Sequence, residues 1–100
     1  MRHLYYDRSG KPIASLDEWD RLRRNPDALR VALTEGLPGS VSVSTIWYGV
    51  DSSLAGAPLI FETVIFGGLH DHKRWQYPSE AAALAGHDQI VAALREGQAP

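Results

Sequence analysis

The stretch VSVSTIWYGV-DSSLAGA-PLIFETVIFGG, Val41 to Gly68, narrows the possible folds more than any other part of the chain. β-Branched and aromatic residues dominate both flanks, and a small glycine-containing loop joins them, which is the signature of paired strands. In the first flank Val41, Val43, Thr45 and Trp47 share one parity, and Ser42, Ser44, Ile46 and Tyr48 share the other. Side chains alternate across a strand. The first half therefore predicts one wet face, whereas around Trp47–Tyr48 both parities are bulky. The return flank, Leu59 to Phe66, is apolar on both parities apart from Glu62 and Thr63, so both its faces are expected to be buried and the strand to lie centrally in a sheet. Gly67-Gly68 ends it. An edge position for Val41 to Ser44 would allow edge-to-edge pairing into a homodimer.

On either side of this hairpin the chain reads as mixed. His3 to Ala14 suggests a short β-hairpin, with Ser9-Gly10 at its turn and Pro12 confining the second strand to an edge. Ser15-Leu16-Asp17-Glu18 fits a capping box and opens a helix, Leu16 to Arg24, which Asn25-Pro26 stops. Asp27 to Glu35 reads either as a further helical turn or as a strand; the Gly36-Leu37-Pro38-Gly39 break after it favours a strand from about Arg30 to Glu35. Leu69 to Gln76, LHDHKRWQ, reads as a polar connection. Ser79 then caps a second helix running to about Glu96, with Leu84, His87, Val91 and Leu94 on one stripe widened by Ala83 and Ile90. Ala81, Ala82, Ala83, Ala85 and Gly86 permit a close approach to a sheet. The expectation is one α+β domain over residues 1–97, with an antiparallel sheet of about three to five strands and two amphipathic helices in the order β-β-α-β-β-β-α. A tail, Gln98 to Pro100, is expected to fray.

Composition then limits the chemistry. A length of 100 residues suits one domain, and 44% hydrophobic with 22% charged residues suits a packed core. There is no cysteine, which removes disulfides and thiolate chemistry. A net charge of −2 argues against nucleic-acid binding; the clusters Arg21, Arg23, Arg24 and His72, Lys73, Arg74 read as solvated faces. No apolar run approaches the roughly 20 residues of a membrane span, and MRHLYYDRSG has no signal-peptide core, so a cytoplasmic protein is expected.

No motif names a reaction. His70-Asp71-His72 has the spacing of a two-imidazole metal site, with Glu62 or His87 as a conceivable third ligand, but in a loop it reads as scattered polar residues, and no metal or cofactor is expected. His87 reads as a structural histidine. Glu62 is the residue out of place: a carboxylate among apolar neighbours is costly unless paired. It either lines a pocket near the Asp51–Pro58 loop, as a ligand-binding or catalytic group, or it pairs with an arginine or lies at an opening in the helical cover. Of Trp47 and Tyr48, one packs in the core and the other is free to anchor a partner; Trp75, near the far end of the return strand, is a further aromatic candidate. The candidate binding residues are thus Trp47, Tyr48, Asp51, Glu62 and Trp75. G-x-S-x-G and phosphate-loop patterns are absent, so no catalytic residue is assigned.

The words VSTIWYGVD, PLIFETVIFGG and YPSEAAALAGH, with YYDRSGKPI and SLDEW before them, run nearly the length of the chain. On them the sequence resembles a family of small proteins encoded by bacteriophages and prophages of actinobacteria. LHDHKRW is its least family-like part. The resemblance implies a phage or prophage context and carries no known activity or catalytic residues with it. The function expected is that of a small phage-type accessory protein binding another macromolecule, a host or phage protein.

Overall fold

A computed structural model describes residues 3–53 and 55–100. The chain forms β1 (Tyr5–Tyr6), β2 (Pro12–Ile13), α1 (Leu16–Arg23), α2 (Pro26–Leu29), β3 (Arg30–Leu37), β4 (Val41–Trp47), β5 (Phe61–Phe66), β6 (Arg74–Tyr77) and α3 (Glu80–Arg95). β1 and β2 make a two-stranded ribbon; β3-β4-β5-β6 make an antiparallel sheet in sequence order. This is the expected α+β architecture, with one more strand and one more helix than the sequence suggested.

Local chemistry accounts for the elements. The Ser15 hydroxyl accepts the Glu18 amide at 3.2 Å and the Ser79 hydroxyl the Ala82 amide at 3.2 Å, so both long helices begin at their expected caps. Asp27 to Glu35 realises both readings in turn. Asn25 caps a four-residue helix with Pro26 at its start, and the strand follows immediately from Arg30. Two further expectations are corrected. Leu69 to Gln76 is not all connection: Arg74–Tyr77 is an edge strand on β5. Its Arg74 and Gln76 point outward while Trp75 and Tyr77 are half-buried, and the polar parity concealed the strand. Nor does Val41–Ser44 lie at an edge. β4 pairs with β3 on one side and β5 on the other, which closes that route to a homodimer.

The covered side of the sheet is built in two parts. Leu37, Val41, Val43 and Ile65 pack with Ile90 and Val91 of α3. Trp47, Ile60 and Phe61 pack with Tyr6, Ile13 and Ala83, and Trp19 and Leu22 of α1 lie against them. The α3 stripe comprises Ala83, His87, Ile90 and Val91; Leu84, expected on it, is 41% exposed. A Cβ at Gly86 would overlap the Tyr77 ring, so the glycine sets how closely α3 approaches β6. Arg8 ties the ribbon to the rest: its guanidinium meets Glu80 and donates to the carbonyls of Asp27, Ala28 and Arg30. After Gly97, Gln98 N–H donates to Ala93 O and Lys73 Nζ to Pro100 O. No helix among the described residues is long and apolar enough to cross a membrane.

A polar chain runs through the centre of this packing. Thr34 Oγ1 lies 2.8 Å from His87 Nε2, Thr45 Oγ1 lies 2.8 Å from His87 Nδ1, and Thr63 Oγ1 lies 2.5 Å from Thr45 Oγ1. Either tautomer of neutral imidazole satisfies it, with the hydroxyl protons running one way or the other. His87 is therefore structural, as expected, held between the hydroxyls of Thr34 and Thr45. Burial holds its pKa below 6.5, against a smaller upward pull from Asp88. The unfolded chain then binds the proton more readily than the folded one. Stability is complete above about pH 6.5, falls as pH drops below that value, and levels off below the folded pKa. The limiting slope is about 1.4 kcal/mol per pH unit. Urea midpoints measured from pH 7.5 to 5 should show this fall, and His87→Gln should abolish it; an unchanged pH slope in the variant would remove His87 as its source.

Candidate functional site

The second face of the sheet carries no helix among the described residues. The strand register fixes what that face displays. One row reads Leu33, Ser44, Val64, Arg74; the next reads Arg30, Ile46, Glu62, Gln76; Ser42 and Phe66 stand opposite each other beyond them. Leu33 is 40% and Phe66 45% exposed, and Ser42, Ser44 and Ile46 are half-buried. The alternation of Val41–Trp47 is this geometry: one parity lies under α3 and the other faces outward. β5 is buried on both parities from Phe61 to Ile65, as expected, yet its second face is enclosed by neighbouring side chains and not by a further layer.

At the Tyr48 end of this open face lies a cavity of about 270 Å³, lined by Tyr48, Val50, Ser52, Leu59, Phe61, Glu62, Arg74 and Gln76. Three devices shape it. First, the strand pairing changes after Trp47: Tyr48 and Gly49 both donate their amides to Ile60 O, at 2.8 and 3.0 Å. Two residues thus oppose one, as in a bulge, and Tyr48 is re-aimed. Second, Asp51 staples the loop that follows. Its Oδ1 accepts the Ser53 amide, the Ser53 hydroxyl and the Leu59 amide, while its own amide donates to Leu4 O. Leu54, in the same loop, lies outside the described residues. Third, α1 props Tyr48 from behind. Trp19 Nε1 donates to Tyr48 O at 3.0 Å, and the Arg23 guanidinium sits 5.1 Å from the Trp19 ring and 4.9 Å from the Tyr48 ring.

Glu62 lies in the wall of this cavity. Its side chain is 10% exposed, and its Oε1 accepts from Arg74 Nη1 at 3.2 Å. Glu62 thus lines a cavity beside the Asp51–Pro58 loop, pairs with an arginine, and lies on the face that carries no helix among the described residues. A single Arg contact from a side chain that is itself 57% exposed is a loose pairing.

The candidate residues therefore separate. Tyr48 and Glu62 meet at the cavity, and Asp51 organises its loop without lining it. Trp47 is 1% exposed in the core, its Nε1 donating to Tyr6 O at 3.0 Å. Trp75 is half-buried on the α3 side, with Lys73 Nζ 5.2 Å from its ring. Arg74 and Gln76 belong to the site and were missed individually, because they enter it through β6. The cationic clusters are dispersed: Arg24 pairs with Asp20, Arg23 stacks on two rings, and Arg74 meets Glu62. His72 Nδ1 contacts Asp71 at 2.8 Å, and among the described residues no group of three metal-binding side chains converges.

The arrangement offers a mixed surface. An apolar and serine-lined sheet face leads to a small cavity with an acceptor carboxylate, a guanidinium at the rim and an aromatic ring beside it. No protein-family model, curated protein or solved structure matches this chain.

Proposed function

We propose that the chain is a small phage-type accessory protein that works by binding another protein, of the host or of the phage, through the open face of its sheet. The observation that carries this reading is the uncovered face itself. A two-layer domain this small needs its apolar surface for its own core, yet Leu33, Ile46, Tyr48 and Phe66 stand outward on one continuous side. Rigid aromatic and aliphatic groups on a preformed sheet are suited to anchor a partner. The test compares immobilised wild-type protein with a Leu33→Asp/Phe66→Asp variant in an actinobacterial lysate. A protein retained by the wild type should fall at least tenfold with the variant. Identical captured proteins, or none above background, would remove the reading.

A second reading is a small-ligand binder or enzyme that uses Glu62. The cavity beside that carboxylate favours it.

A further inference from the structure

We infer that the Glu62 cavity receives a cationic side chain of the partner, an alkylammonium or guanidinium group, with Glu62 as its counter-charge and Arg74 as the group it displaces. This rests on the protein-binding reading and names the chemistry of its anchor.

Four observations lead there. The first is the state of the carboxylate. Glu62 is 8% exposed as a residue, and Oε1 is bonded to Arg74. Oε2 accepts from no described residue, yet it is not sealed off from solvent as a buried orphan. An oxygen with no protein donor is thus left on a side chain that lines the cavity, and a carboxylate held in partial burial favours a positive donor.

The second is the weakness of the resident pair. Arg74 stands on an edge strand, more than half in water, and makes one contact at 3.2 Å in place of a two-pronged fork. Such a side chain swings out at little cost. An incoming cation thus exchanges with Arg74 and leaves no buried charge unpaired.

The third is the wall. Val50 and Leu59 supply apolar surface and Tyr48 an aromatic ring, while Ser52 and Gln76 are polar. Lysine and arginine bury an aliphatic stem while their heads seek acceptors, so this lining suits such a side chain along its length. The fourth is size. At about 270 Å³ the cavity has room for one lysine or arginine side chain delivered from outside.

An anion is the alternative that Arg74 invites. The guanidinium lies at the rim with Glu62 beneath it, so an anion would approach a carboxylate that it repels.

The test is a titration of the full chain, followed by amide NMR at fixed ionic strength, with five probes. They are N-acetyl-lysine-N-methylamide, the matching arginine and norleucine compounds, n-butylammonium and acetate. The lysine and arginine compounds should move the resonances of Tyr48, Glu62 and Gln76, and the neutral norleucine compound should not. Glu62→Gln, melted in parallel to confirm its fold, should weaken binding at least tenfold. Arg74→Gln, an exposed change on an edge strand, should tighten it severalfold by removing the internal competitor; a purely structural ion pair would not produce that gain. Weaker binding by Arg74→Gln, or shifts with acetate and none with the cations, would overturn the inference. n-Butylammonium binding more tightly than the blocked lysine would assign the cavity to a free amine and overturn its assignment to a polypeptide side chain. The protein-binding reading stands or falls separately, since its capture assay alters Leu33 and Phe66 and leaves the cavity lining intact.

Discussion

Trp47→Ala is expected to cost about 3–5 kcal/mol, against a total stability of about 5–15 kcal/mol for a domain of this class. Trp47 is 1% exposed, and Tyr6, Ile13, Ile60, Phe61 and Ala83 form the core around it. Its removal leaves a cavity in the cluster where the N-terminal ribbon, the sheet and α3 meet. It also orphans the Tyr6 carbonyl that the indole N–H satisfies. At about 4–8 °C per kcal/mol for a domain near this size, the melting temperature should fall by about 15–30 °C. Tyr48→Ala, one residue on, should cost only about 0.5–1 kcal/mol, the worth of an exposed ring stacked with Arg23. Urea denaturation of the two variants side by side checks the contrast. Similar losses would mean that the two aromatics do not divide between core and surface as the structure divides them.

That division was half legible beforehand. Opposite parities on one strand guarantee that Trp47 and Tyr48 point apart, and the larger, more apolar ring is the better core residue. What decided the outcome is the bulge at Ile60 O, which sequence does not display. Glu62 followed the same course. Its oddity in an apolar strand was visible, but its partner was not. Arg74 reaches it only because β6 pairs Gln76 with Glu62 and Arg74 with Val64. β6 itself was concealed because an edge strand with one exposed parity looks like a polar loop. The helix caps at Ser15 and Ser79 were readable because capping is local chemistry, confined to four residues. The uncovered face was readable only in part. Ser42 and Ser44 indicated a wet side, but the number of layers depends on where α1 and α3 pack, and that is settled by contacts distant in sequence. Leu84 shows the same limit: it has the right spacing for the α3 stripe and yet stays 41% exposed.

Gly49→Ala is the second large effect, and it links the core to the site. Gly49 has φ of +80°, where an L-residue costs about 1–2 kcal/mol. A Cβ there would stand 2.7 Å from Trp19 Nε1 and 2.8 Å from Trp47 Cζ2. Both rings are held by hydrogen bonds, so relief requires one of them to give way, at about 1–3 kcal/mol for overpacking. The expected total is about 2–5 kcal/mol. Gly10→Ala is the matched control. Its φ is +93°, and a Cβ there meets nothing within 4 Å, so it should show the backbone cost alone. The difference between the two variants in urea midpoint isolates the steric part; equal losses would show that the Trp19–Trp47 contact yields freely. Trp19 is the ring with room to retreat, being only half-buried. If it retreats, the bond to Tyr48 O and the Arg23 stack loosen with it. Gly49→Ala should therefore weaken lysine-compound binding at the Glu62 cavity even at temperatures where the variant is fully folded, while Gly10→Ala should leave it unchanged. The glycine lets the indole of α1 stand close enough to hold Tyr48 at the cavity, and an added methyl group separates them.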